Sequence, residues 1–300
     1  MSASPPAADA DLSSWHFAEG DEIVPGRVAV ELLGGGNRSE AWLAWDERLH
    51  TLVVAKLLRP DQLDDARALA GLEREARALA ALSHPSIVRR FGAVLDGPRP
   101  HLVLESLDGP RLSTLLRRFG PLAPEQLVPL AIEVGSALAF MHHVGFVHLD
   151  VKPRNLIVGA TPKLIDLGIA RRSDEIAQLT KPLGTDAYMA PEQCLAETVA
   201  TVGPAADVWG LCVTLYEASE GRLPFGAGDD ASSVDRYPQL SLPPAPFNEW
   251  TPQPIASAIR SGLAKDPSAR PSVAELVEAV GPLLPDARRV ARRRLRRRVR

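Results

Sequence analysis

A chain of 300 residues, 45% apolar and 24% charged, is long enough to bury a substantial core as one large domain or one two-lobed unit. Its two cysteines, Cys194 and Cys212, have no metal-ligand spacing and no partner framework, which excludes a disulfide scaffold and points to a reducing, cytoplasmic setting. No apolar run is long enough to span a bilayer, and "MSASPPAADADLSS" lacks the basic start and apolar stretch of a secretory signal. The net charge of −3 hides an asymmetry. Nine arginines crowd residues 288–300, leaving 25 basic against 37 acidic residues, so residues 1–287 carry −12.

In chain order, residues 1–24 read as a disordered leader. From Arg27 to Lys56, "RVAVELL", "EAWLAW" and "TLVVAKLL" are short apolar or alternating runs expected to be strands, and "DERLH" is a hairpin connection. The glycine-rich "LGGGNRSEAWLA" lies between the first two. Gly34 and Gly36 would let backbone N–H groups approach a phosphate, although a flexible turn explains the same letters. Lys56 sits inside an apolar strand, where an ammonium needs a counter-charge or must reach solvent at the strand end. Helical spacing follows over 61–82, with Glu73 and Glu75 as candidate partners for that lysine. "HPSIVRRFGAVL" and "PHLVLESL" return to strand character, and "LDGP" (107–110) punctuates the chain as a hinge.

Beyond the hinge, helices are expected at 112–118, 124–143, 205–220, 252–264 and 272–284, with the proline-rich stretch 237–254 as an ordered loop. Sheet first and helices second predict an α+β chain of two packed lobes, and a cleft between lobes is a preferred ligand site. The chemistry concentrates in "HLDVKPRN" (148–155), where a compact loop can aim Asp150, Lys152 and Asn155 into one site. The carboxylate can take a hydroxyl proton, the ammonium can meet phosphoryl charge, and the amide oxygen can ligate a cation. Eleven residues later "LIDLG" offers Asp166 as a further hard oxygen ligand, fit for Mg2+.

Together these motifs resemble the eukaryotic-type serine/threonine protein kinases, in their bacterial form, from about Pro25 to Pro282. "GTDAYMAPE" (184–192) resembles the end of an activation loop. "ADVWGL" carries Asp207 to brace the catalytic loop, and "KDPSARPS" carries Arg270 to pair with Glu192. The resemblance implies a two-lobed fold: a small antiparallel-sheet lobe with one helix at about 25–106, a larger helical lobe at about 107–285, and an arginine-rich tail at 286–300. It implies ATP with Mg2+ (Mn2+ as an alternative) and transfer of the γ-phosphoryl group to a protein hydroxyl. Asp150 would be the base, Lys152 would stabilise the transferring group, and Thr185 would favour serine or threonine acceptors. Asn155 and Asp166 would hold the metal, and Lys56 the phosphates. The family's spacing to His84-Pro85 selects Glu75 over Glu73 as the partner of Lys56. Leu33, Gly34, Gly36 and Ala41 would cover the nucleotide, and Leu104 would border the adenine. Glu105 and Leu107 would offer hinge backbone, while Ala55 and Leu156 would sandwich the ring.

Three departures from the family pattern stand out. Ser39 and Ala41 alter the glycine loop, Leu167 replaces a phenylalanine, and Leu149 replaces the arginine that precedes the catalytic aspartate. None removes an acid, lysine or metal ligand, so an active enzyme that does not need activation-loop phosphorylation is the expected reading. The alternatives are a pseudokinase or scaffold acting by partner binding, and a small-molecule phosphotransferase, against which the "GTDAYMAPE" segment argues. Protein substrates are the expected partners. The arginine tail fits an acidic protein, nucleic acid, an anionic membrane surface or the acidic body of its own domain.

Overall fold

The computed structural model describes residues 13–195, 197–226, 228, 236–287 and 289. The first twelve residues of the expected leader, and Arg288 with residues 290–300 of the arginine tail, lie outside the described residues. The chain divides into two compact units, the described parts of Met1–Ala80 with Arg89–Ser106, and of Ala81–Val88 with Leu107–Arg300.

The first unit is a six-stranded antiparallel sheet with one helix. The strands are β1 (Glu22–Val24), β2 (Arg27–Gly35), β3 (Ser39–Asp46), β4 (Thr51–Leu58), β5 (Arg90–Val94) and β6 (His101–Glu105), in the order β1-β2-β3-β4-β6-β5. Alternation sorts their side chains. Trp42, Ala44, Val53, Ala55, Leu57 and Val103 bury one face as a core, while Ala41, Leu43, Val54 and Lys56 stand on the other. The "DERLH" connection is closed by Asp46, whose carboxylate accepts the N–H groups of Arg48 and Leu49, both at 2.9 Å, as turn aspartates do. Helix α1 (Ala66–Ala81) starts later than expected because Asp65 caps it, accepting the Arg67 N–H at 2.8 Å.

The leader expectation needs correction from residue 13 onward. Trp15 and Phe17 pack against the sheet core; Trp15 Nε1 donates to the Leu58 carbonyl at 2.7 Å, and Phe17 meets Trp42 edge to face at 5.5 Å. The Arg99 guanidinium lies over both rings and donates to the Ile23 carbonyl at 2.7 Å. Two aromatic side chains in an otherwise polar stretch were the signal, and their partial burial is worth less than the roughly 1.5–3 kcal/mol of full burial.

The second unit is helical. Helices α2 (Leu112–Phe119) and α3 (Pro124–His143) precede, among the described residues, three more of at least eight residues at Pro204–Glu220, Gln253–Gly262 and Val273–Val280. Leu138, Met141, Trp209 and Tyr216 are among its large, fully buried side chains. Residues 81–88, expected with the sheet-rich half, belong to this unit. Ser86 and Val88 exchange backbone bonds with Leu164, at 2.8 and 3.0 Å. The proline-rich loop brings carbonyls and few donors, so neighbours supply them: Tyr216 donates to Ala245 and Pro246, and Glu220 accepts from Asn248 and Thr251. No helix among the described residues is long and apolar enough to cross a membrane.

Candidate active site

In the first unit, the glycine-rich strand end is narrow by construction. Gly34 has φ +132°, which disfavours any other residue, and a Cβ on Gly35 would lie 2.8 Å from the Ser39 carbonyl. Gly36 closes the turn by donating its N–H to Ser39 at 2.9 Å, while Leu33 stays exposed beside it. The cross-strand row Gly34, Ala41, Lys56 and Leu102 sets the lysine on the same face as the loop. Lys56 Nζ donates to both Glu75 oxygens, at 2.9 and 2.7 Å, and Glu75 is only 2% exposed. Glu73, two residues earlier on the helix, is exposed on a different face. A buried carboxylate that holds an ammonium by both oxygens keeps it charged and fixed in direction.

Register corrects Ala55. It belongs to the opposite, core face with no exposed surface, whereas Val54 pairs directly with Leu104 on the lysine face. Val54, and not Ala55, therefore shares the face of Lys56. Glu105 continues β6, its N–H bonded to the Arg89 carbonyl and its side chain accepting the Arg89 N–H.

In the second unit, the catalytic loop is held from below. Asp207, at the start of the helix Pro204–Glu220, accepts the N–H groups of His148 and Leu149, each at 2.8 Å, and contacts His142 Nε2 at 2.8 Å. Burial opposes ionisation of Asp207, but His142 and the His148 N–H outweigh it, and its pKa is lowered. Leu149 sits there with φ +69°, buried, its carbonyl bonded by Gln193 Nε2 at 3.1 Å. A leucine in that conformation is strained, and three hydrogen bonds on its own and the preceding peptide hold it in place.

The side chains then converge on Asp150. Lys152 Nζ donates to Asp150 Oδ2 at 2.6 Å and to Thr185 Oγ1 at 2.5 Å, and Thr185 donates to Asp150 Oδ1 at 2.7 Å. Asn155 Nδ2 donates to the Asp150 carbonyl and to Oδ2, at 2.9 and 3.1 Å. With its amide nitrogen committed to Asp150, the Asn155 side chain has its oxygen as the atom that could ligate a cation. Asp166 is exposed with φ +65°, and its oxygen chemistry matches the same ion.

The acceptor-side segment is fixed too. Gln193 links the Leu149 and Leu183 carbonyls, and Glu192 meets Arg270 through two bonds of 2.7 and 2.8 Å. Tyr188 donates to Glu217 at 2.5 Å, and burial together with that carboxylate raises the tyrosine pKa.

Leu107 is half-buried at the start of the unit. Leu156 requires correction: it is fully buried in the strand Leu156–Ile157, so its half-buried neighbour Ile157 is the residue with surface to offer a ring. Sequence reasoning passed over Gln193 because a glutamine gives no charge signal.

A sheet bearing a lysine–glutamate pair, joined to a helical unit whose loop sets a carboxylate beside a lysine and an asparagine, is the two-lobed architecture of protein kinases. The chain matches the protein kinase domain family over residues 28–280 and belongs to it, with serine/threonine-protein kinases as its relatives. It is 36% identical over 251 residues to the serine/threonine-protein kinase PknB of Mycobacterium leprae, which covers 80% of this chain and 40% of that relative. It is 35% identical over 256 residues to PknB of Mycobacterium tuberculosis, with the same coverages. Against PknA of Mycobacterium tuberculosis it is 34% identical over 255 residues, covering 82% of this chain and 58% of the relative. The chain thus spans about two-fifths of the length of the PknB relatives it matches.

Proposed function

We propose that this chain transfers the γ-phosphoryl group of ATP to serine and threonine hydroxyls of proteins. The observation that carries the proposal is the closed triangle of Asp150, Lys152 and Thr185, in which every hydrogen bond is 2.5–2.7 Å. Asp150 Oδ1, now accepting from a threonine hydroxyl, would accept from the substrate hydroxyl and draw off its proton. Lys152 would lie against the transferring group, and Lys56, aimed by Glu75, would hold the α- and β-phosphates. Asn155 and Asp166 would hold Mg2+, with Mn2+ an alternative; two protein oxygens suit an ion that takes its other ligands from phosphates and water. When bound, that ion neutralises phosphate charge. The work of the side chains is positioning.

The finer reading is that activity does not need activation-loop phosphorylation. Leu149 offers no guanidinium for a loop phosphate, and Arg171 spends its own on the Ile169 and Ala170 carbonyls. The two buried free thiols, Cys194 and Cys212, support a cytoplasmic place of work. The arginine tail is proposed to dock a polyanion, whether an acidic protein, nucleic acid or an anionic membrane. The test of the main reading is incubation with labelled ATP, Mg2+ and a generic protein, followed by phosphoamino-acid analysis. Label on serine and threonine is expected. Label only on tyrosine, or none on any protein, contradicts it.

A further inference from the structure

Two arginines beside the catalytic loop make no side-chain hydrogen bond or ion pair among the described residues. Arg154 lies in the Pro153–Asn155 turn, between Lys152 and Asn155, which both hold Asp150. Arg111 lies on the neighbouring segment, bridged to Ile157, with the Val158 N–H bonded to the Pro110 carbonyl at 2.9 Å. The approach of these two segments is built in. A Cβ on Gly109 would lie 2.5 Å from the Val158 carbonyl, and one on Gly159 would lie 2.4 Å from that of Asp108. Any larger residue at either place would push the two segments apart.

No hydrogen bond or ion pair ties either guanidinium among the described residues, and the two feel each other. Burial and then the Arg154 charge lower the Arg111 pKa, while Asp166 draws it up. Asp166 offsets only part of the repulsion between the two like charges, so a further anion beside them is favoured. The other acids near the acceptor site are already engaged: Asp186 by Arg236 at 2.8 Å, and Glu217 by the Tyr188 hydroxyl.

We infer that Arg111 and Arg154 select the substrate, favouring protein segments whose acceptor serine or threonine is flanked within a few residues by carboxylates or phosphates. The inference rests on the kinase reading above and adds the substrate class. A guanidinium pairs with either anion through two parallel bonds, so acidic side chains and previously phosphorylated residues share the chemistry. Basic flanks meet two positive charges and are turned away.

The test uses the full chain and peptides carrying one serine or threonine, with acidic, phosphorylated, neutral or basic residues on either side. Acidic or phosphorylated flanks should raise kcat/KM over basic flanks by about tenfold at low salt, and the ratio should shrink as salt rises. The ranking of the two anionic sets decides between carboxylate and phosphate. Arg111→Glu with Arg154→Glu should reverse the preference, and Arg111→Lys with Arg154→Lys should keep its direction. Equal rates or a basic preference in the unaltered chain overturns the inference, as does an unchanged ranking in the charge-reversed protein. The ranking of the unaltered chain needs no folded variant. Absence of label from every peptide and from the protein itself means that the kinase reading has failed, and the substrate preference with it.

Discussion

Asp207 touches no reacting atom, yet the catalytic loop hangs from it. Its carboxylate is fully buried and accepts the N–H of a leucine in a left-handed conformation and that of the residue before it. Asp207→Asn removes the charge and places an amide against donors, which should cost about 3 kcal/mol of stability and most of the activity. The pH dependence follows from the lowered pKa. The contribution is complete above about pH 4, where the unfolded carboxyl is also ionised, and fades as pH falls through the lower folded value. Denaturant unfolding of both proteins should show a gap that narrows as pH falls below about 4; a gap that widens there contradicts this. At this scale the charged residues were legible in the sequence, because a buried acid or lysine demands a partner. The apolar ones slipped by a position: Ala55 and Leu156 have neighbours of similar character, and only register tells which face each residue meets.

Among the elements, the segment Trp15–Phe17 carries a prediction of its own. Removing both rings by Trp15→Ala with Phe17→Ala uncovers the core around Trp42 and Ala55, and should destabilise the sheet by about 3–5 kcal/mol. A fall in thermal midpoint of several degrees checks it, and an unchanged midpoint would return this segment to the status of a leader. The activation segment carries another. Arg171–Arg172 pairs with Phe146–Val147, Ser173 bonds the Gly145 carbonyl, and Gln193 ties Leu183 to the catalytic loop. Ser173→Ala with Thr180→Ala, and phosphatase-treated protein, should both phosphorylate a generic substrate at close to the untreated rate. Loss of activity in both, restored only by rephosphorylating the native sequence, would show that Leu149 has not released loop control. Strands and helices were legible from periodicity, down to helix Pro124–His143 matching its expected limits. The start of α1 was not, since 61–65 share its composition and only the Asp65 cap marks the boundary. The place of residues 81–88 depends on long-range bonds to Leu164, which no local pattern encodes.

For the whole molecule, charge and chemistry make separable claims. An acidic body of −12 followed by nine arginines predicts that a 1–287 truncation loses salt-sensitive retention on DNA or anionic vesicles; equal retention of the two proteins removes the idea of an external polyanion. The central claim is that Asp150 is the base of a phosphoryl transfer whose nucleotide contacts lie elsewhere, on Lys56, Asn155 and Asp166. The most direct measurement compares the native sequence with Asp150→Asn under identical Mg2+ and labelled ATP, following nucleotide binding and single-turnover transfer side by side. The account predicts ATP affinity within about threefold and transfer reduced by at least about a hundredfold, the range for losing a positioned base. Near-native transfer by Asp150→Asn would contradict the account.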